Sequence, residues 1–220
     1  MKIIRGRLII SAILLVVIAA IAAFAFVQIK DRTYFHSPPY TSKQDKTSDV
    51  LVVYYSRSGN TEAMAREIAR RLHADILRIE TKSYGLDFRG WLQANGDSRS
   101  ETKQVDITPA VVDLHRYRLI FLGSPIWWYR PSPPLWTFVE KNDFSGKDVV
   151  LFNTFNSKFK AEPIKEFQRE IEKKGGRLID HIFIRRGRVY YQMNGKELIR
   201  QAQNLLDKKV KEWQSLQRSR

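Results

Sequence analysis

Between Val50 and Thr61 the chain passes from six consecutive β-rich residues, Val50-Leu51-Val52-Val53-Tyr54-Tyr55, into the turn Ser56-Arg57-Ser58-Gly59-Asn60-Thr61. An apolar run with no polar alternation marks a strand covered on both faces, not one with a wet side. From Thr61 to Leu72 the apolar residues Met64, Ile68 and Leu72 fall at helical spacing. A doubly covered strand that runs straight into an amphipathic helix is the start of a βαβ unit. The same alternation continues down the chain. Asp75 to Glu80, Arg118 to Gly123, Lys147 to Thr154 and Leu178 to Ile184 read as four more strands. Pro134 to Glu140, Glu162 to Lys174 (stopped by Gly175-Gly176) and Gly195 to Trp213 read as helices. Ile107 to His115 is expected to be a short helix with Pro109 near its start. Tyr84 to Gln104 is expected to be loop with a partial helix. The fold class that follows is α/β: a doubly wound, five-stranded parallel sheet with helices on both faces. In such sheets ligands bind beyond the carboxyl ends of the strands.

Those ends carry the chemistry. After the first strand, the hydroxyls of Ser56, Ser58 and Thr61 can donate to phosphate oxygens. Gly59 lets the backbone turn and approach closely. The first amides of the next helix point to the same place with a favourable dipole. Arg57 either adds charge or faces solvent. The same residue types also serve as an ordinary helix cap and turn. The third strand ends in Gly123-Ser124-Pro125-Ile126-Trp127-Trp128-Tyr129. Three adjacent aromatics on a loop expose apolar surface unless something flat covers them. A ring system on Trp127 or Trp128 would do so, while one of the three is expected to pack under the following helix. The fourth strand ends in Asn153-Thr154-Phe155-Asn156-Ser157, which offers amides and hydroxyls.

Several chemistries are excluded. The first loop lacks the Walker spacing and lysine, and it is not the longer dinucleotide fingerprint. A phosphatase or arsenate-reductase loop needs a cysteine, and the chain has none. The same lack removes disulfides, iron–sulfur ligation and thiolate catalysis. A receiver domain needs acids where Tyr54, Tyr55 and Ser56 stand. His36, His73, His115 and His181 are scattered, with no metal-ligand spacing.

The SxSGNT loop at Ser56–Thr61, the GSPIWW stretch at Gly123–Trp128, the polar loop after the fourth strand and Asp143-Phe144-Ser145-Gly146-Lys147 before it together resemble the flavodoxin family. The resemblance is particularly to its quinone-reductase-like and short bacterial members, over about Asp49 to Leu206. The resemblance implies flavin mononucleotide (FMN) as cofactor. Ser56, Ser58, Asn60 and Thr61, with Arg57 and Gly59 in the same loop, would bind its phosphate. Pro125, Ile126, Trp127 and Trp128 would flank the isoalloxazine ring, and Thr154, Asn156 and Ser157 would lie along its polar edge. It also implies electron transfer or flavin-dependent oxidoreduction linked to a nicotinamide, a partner protein or quinone. No side chain need act as acid or base.

Leu8 to Ile29 is a run of 22 residues without a charge, long enough as a helix to cross a bilayer. The expected organisation is a short basic N-terminus at residues 1–7, a transmembrane signal anchor at 8–29, a polar linker at 30–48 and the α/β domain at 49–220. Lys2, Arg5 and Arg7 precede the run, which favours an outward-facing, periplasmic domain on a bacterial inner membrane. Lys30, Arg32, Lys43 and Lys46 on the far flank weaken that bias. Ala23-Phe24-Ala25 offers a signal-peptidase reading instead. The formal charge is +15, and Lys158 to Arg220 holds 17 Lys and Arg against 8 Asp and Glu. A basic surface suits an anionic partner. The expected partners are the lipid bilayer and a redox protein or quinone. Arg185-Arg186-Gly187-Arg188, near Tyr190 and Tyr191, could meet headgroups, but nucleic acid is not expected. The other function class left open is a flavodoxin-like binding module without flavin that engages anionic lipid or protein.

Overall fold

A computed structural model describes residues 2–42, 48–188 and 191–218. Lys43, Lys46 and Tyr190 lie outside the described residues. The chain forms two compact units, one ending at Tyr34 and the other starting at Phe35. The first is the helix α1 (Lys2–Arg32). Its stretch Ile9–Phe26 has a mean hydropathy of 3.0 and is long and apolar enough to cross a membrane, as a signal sequence also would be.

In the second unit the strands β1 (Val50–Tyr55), β2 (Asp75–Ile79), β3 (Leu119–Trp127), β5 (Asp148–Phe155) and β6 (Arg177–Arg185) form one parallel sheet in the order β2-β1-β3-β5-β6. A two-residue strand, β4 (Arg130–Pro131), folds back antiparallel on the end of β3. The five parallel strands fall where the sequence placed them, and β1 and β5 are buried along their whole length.

Alternate residues of each strand feed two cores. On one face Val52, Tyr54, Phe121 and Phe152 pack under α2 (Asn60–Leu72) and α6 (Gly195–Arg218), which contribute Met64, Ile68, Leu198, Leu206 and Trp213. On the other, Leu51, Val53, Ile120, Leu122 and Leu151 pack under α4 (Pro133–Lys141) and α5 (Ala161–Lys173), which contribute Leu135, Phe138, Phe167 and Ile171. The helix α3 (Phe88–Arg99) lies on that same side through Ala94. The pairing of β3 with β5 is tight: a Cβ on Gly123 would stand 1.9 Å from Cζ of Phe152, its partner in the register.

The helix expected over Ile107–His115 does not form. Thr108 makes an antiparallel bridge to Glu80, with N–H···O distances of 2.8 and 2.9 Å. The residue before a proline is pushed toward extended backbone, and Thr108 spends its backbone groups there. Beyond Pro109 the Asn142 side chain takes over, accepting from the Val112 amide (2.8 Å) and donating to the Ala110 carbonyl (2.9 Å). Ile107 and Leu114 are still buried, so the apolar spacing reported burial and not helix.

The stretch read as linker joins the second unit from Phe35. Phe35 and Tyr40 pack on the core under α2 and α6. Arg66 donates to the Ser37 carbonyl (2.6 Å), Arg70 to the Pro39 carbonyl (3.2 Å), and the Tyr40 hydroxyl to the Ala74 carbonyl (3.0 Å). Its polar composition concealed two aromatics that dock and backbone carbonyls that arginines satisfy.

Candidate functional site

The turn after β1 is built to face a ligand with backbone. Gly59 sits at the N-terminus of α2 with φ 82°, a conformation that side chains resist, and no side chain caps the helix. The first-turn amides of α2 have no partner inside the helix and lie within a buried loop. Ser56, Asn60 and Thr61 are buried, and Ser58 is half-buried. The Asn60 amide donates to the Ser58 hydroxyl at 3.0 Å, and its Oδ1 is buried with no partner. Exchanging O and N of that amide gives the Ser58 hydroxyl an acceptor and leaves the nitrogen as the unspent donor. With the amide so turned, its nitrogen beside the N-terminus of α2 would give the kind of donor set that a phosphate requires. Glu62, the acid of that first turn, is already neutralised: it accepts from Tyr54 (3.0 Å) and Arg66 (2.7 Å), with Arg78 at 3.5 Å. Burial, then the Glu62 charge, push the Tyr54 phenol well above its ordinary value.

Arg57 does not point at random. It donates to the Tyr84 carbonyl (3.2 Å) and the Gly85 carbonyl (2.9 Å). It therefore ties the first loop to the loop after β2.

The third strand end is a hairpin. Trp127 pairs with Arg130, and the two residues between them, Trp128 and Tyr129, have φ 46° and 71°. A two-residue turn with both φ positive normally calls for Asn-Gly, so Trp-Tyr here is strained. The surroundings hold it. The Trp128 indole donates to Asn95 (3.0 Å) and lies under the Arg99 guanidinium at 4.9 Å. The Tyr129 carbonyl accepts from the Lys160 amide (2.9 Å). Arg130, buried over the Trp136 ring at 4.9 Å, pairs with Glu101 (2.8 Å) and Glu166 (3.2 Å). Burial opposes the Glu166 charge, but Lys103, Arg130 and Arg169 outweigh it and hold its carboxyl below the ordinary range.

The two tryptophans separate. Trp127 packs edge-on against Tyr55 (5.8 Å) and Tyr84 (5.3 Å), so its ring is occupied by protein. Burial and a 2.8 Å bond to Asp97 push the Tyr84 phenol far up. Trp128 is 47% exposed and is the ring left open to a flat ligand. Ile126 is buried against Pro131, and Pro125 is half-buried beside Thr154 in the sheet register.

That register brings the third and fourth strand ends together, and a side-chain bond adds the first. Thr61 Oγ1 and Thr154 Oγ1 are 2.8 Å apart, buried, and 93 residues apart in the chain. Asn156 is exposed and accepts from Gln192 (2.9 Å), and Ser157 is half-buried. Below this layer Asn153 donates to the Ser124 carbonyl (2.8 Å), and His181 Nε2 meets Asn153 Oδ1 at 2.9 Å. Sequence reading passed over this support, and over Tyr55, Tyr84, Asn95 and Arg99. They lie on separate elements, and only the alternation of Tyr54 and Tyr55 in β1 hinted that Tyr55 faces the other core.

A glycine cradle at a helix N-terminus, an open tryptophan on a strained hairpin and a polar edge thus meet at one end of the sheet. A family model described as flavodoxin matches residues 49–191. The chain belongs to the flavodoxin family. Its domain is similar in structure to a protein described as a flavoprotein from Bacteroides uniformis: 21% identity over 74% of this chain and 99% of the other, with a TM-score of 0.57. A Lactobacillus acidophilus flavoprotein, in complex with FMN, is 21% identical over 61% of this chain and 91% of its own, with a TM-score of 0.51. A third, from Bacteroides eggerthii, is 21% identical over 72% and 95% of the two chains, with a TM-score of 0.53. At that identity these structures bear on the fold of the flavodoxin domain alone. No curated protein sequence matches the chain.

Proposed function

We propose that the flavodoxin domain holds FMN and serves as a membrane-anchored redox protein. The observation that carries this reading is the junction of three strand ends: the Thr61–Thr154 bond and the Pro125–Thr154 register set the phosphate loop, the Trp128 hairpin and the polar loop around one place. The Ser56, Ser58 and Thr61 hydroxyls, the Asn60 amide and the α2 amides hold the phosphate. Trp128 stacks on the ring, with Pro125 and Ile126 beside it, while Thr154, Asn156 and Ser157 line its polar edge. Trp127 acts one step back by fixing the hairpin against Tyr55 and Tyr84. Arg57 likewise positions the loop. FMN, when bound, supplies electron transfer in single or paired steps. The chain's part is to bind it, stack on it and set the charge around it.

The apolar helix α1 supports a retained anchor, and an anchored flavodoxin domain suits a membrane-borne redox partner, a quinone or a protein. The test is the visible spectrum of the purified full-length protein before and after adding FMN. A stoichiometric flavin band with quenched fluorescence is the expected result. A folded protein with no FMN affinity refutes the reading and leaves a flavin-free binding module.

A further inference from the structure

The flavodoxin fold does not account for the charge on one half of the carboxyl-end surface. The loop after β5, the last residue of β6 and the loop after it carry Lys158, Lys160, Arg185, Arg186 and Arg188 and no acid between residues 156 and 160 or between 185 and 188. The loop after β2, at the other side of the same end, carries Glu80 and Asp87 against Lys82. Lys158, Lys160, Arg185 and Arg188 are exposed, and no ion pair among the described residues engages them. Lys158 and Lys160 stand over the Tyr129 ring at 5.7 and 5.3 Å, which keeps both on the hairpin's rim. Tyr191 is 93% exposed: its amide donates to the Arg188 carbonyl (2.9 Å), and Gly187 at φ 84° lies so close that a Cβ would reach the Tyr191 oxygen at 2.7 Å. An exposed tyrosine amid unpaired cations is the side-chain mixture of a membrane–water interface.

The attachment of the N-terminal segment points to the same end. The Phe35 amide donates to the Ser58 carbonyl in the phosphate loop at 2.9 Å. Its ring abuts Gly195, where a Cβ would fall 2.0 Å away, and Gly195 opens α6 just after the basic turn. Arg66 and Arg70 then hold the next residues along α2. Only Thr33 and Tyr34 separate Phe35 from Arg32, the last residue of α1.

We propose that Lys158, Lys160, Arg185 and Arg188, with Tyr191, form a docking surface for anionic phospholipid headgroups, which holds the cofactor end of the domain at the bilayer. This rests on the anchored reading above. The charge then selects anionic lipid and adds the basic half of the rim to the contact. Headgroup docking would bring a lipid-dissolved acceptor, rather than one diffusing in water, to the ring edge.

The chain lacks cysteine, so Tyr191→Cys carries a single nitroxide label. The full-length protein goes into nanodiscs of phosphatidylcholine, with or without phosphatidylglycerol, and the label's collision rate with a water-soluble nickel chelate is measured. The expected result is a several-fold drop in collisions in phosphatidylglycerol discs only. The drop should vanish in about 1 M salt, where the Debye length is ~3 Å, and in the variant Lys158→Glu, Lys160→Glu, Arg185→Glu, Arg188→Glu. Each basic residue removed singly should weaken the docked state about fivefold. A label at Lys174→Cys should not respond, and unchanged thermal unfolding of the charge-reversal variant shows that it folds. Equal collisions in both lipids overturn the proposal and direct the search to an acidic protein. Elution of the protein apart from the discs in high salt refutes the anchor itself, and the docking proposal falls with it.

Discussion

Substituting His181 should remove a definite part of the protein's sensitivity to acid. The ring sits between Phe159 (5.0 Å) and Phe183 (5.6 Å), and its Nε2 meets Asn153 Oδ1. Because the Asn153 amide nitrogen donates to Ser124, Oδ1 needs a donor, and neutral imidazole protonated on Nε2 supplies it. Burial pushes the imidazole pKa down to about 4, with Asp180 pulling weakly the other way. The folded value lies below that of the unfolded chain, so the unfolded state takes up the proton first as pH falls. Stability from this group is whole above the ordinary value of about 6.5 and is lost progressively down to about 4. At pH ~5 an unfolded imidazole is about 97% protonated and the folded one about a tenth, a difference of about 2 kcal/mol. His181→Gln keeps an amide donor for Asn153 and has no proton to gain. Urea unfolding at pH ~7.5 and ~5 should show a loss on acidification smaller by about 1–2 kcal/mol in the variant. Equal losses in the two proteins would refute the argument, because the carboxylates common to both would then explain the whole slope.

Other outcomes follow from particular contacts. Gly123→Ala drives a methyl into the fully buried Phe152 ring and should cost about 1–3 kcal/mol in chemical unfolding, as overpacking does. Thr61→Val and Thr154→Val each break the buried 2.8 Å bond and strand a hydroxyl, at about 1–3 kcal/mol each, and the double variant should lose less than the sum in a mutant cycle. Trp128→Ala removes a half-exposed ring and should leave thermal stability nearly intact while weakening FMN by about 10–100-fold, the worth of one aromatic stack. Fluorescence titration with FMN decides this, and an unchanged Kd would show that the ring does not stack there. Asn60→Asp should harm FMN affinity more than Asn60→Ala, since it sets a like charge beside the phosphate while Ala removes only a donor.

The strands and most helices were legible because periodicity is a local property. Val50–Tyr55 announces a doubly covered strand wherever it is placed, and Gly59 before Asn60-Thr61 announces a turn into a helix. The phosphate-compatible loop and the aromatic loop after the third strand were legible for the same reason. Periodicity failed where a distant partner won. Ile107 and Leu114 are buried as their spacing suggested, but the bridge from Thr108 to Glu80 and the Asn142 side chain took the backbone groups that a helix would have used.

By itself, then, the sequence determined the α/β class, the succession of strands and helices along the chain, the apolar N-terminal helix and a loop able to cradle phosphate. Only the tertiary structure decided which tryptophan is open and which is enclosed. Trp127 and Trp128 are neighbours of one type, but strand pairing turns the first onto Tyr55 and Tyr84 and the strained turn sets the second outside. It alone decided that Arg57 anchors a loop, that Phe35 bonds the loop after β1, and that Thr61 meets Thr154 across 93 residues. Propensity and periodicity act over a few residues. These contacts depend on how the parallel strands are ordered and paired, which no short window of sequence contains.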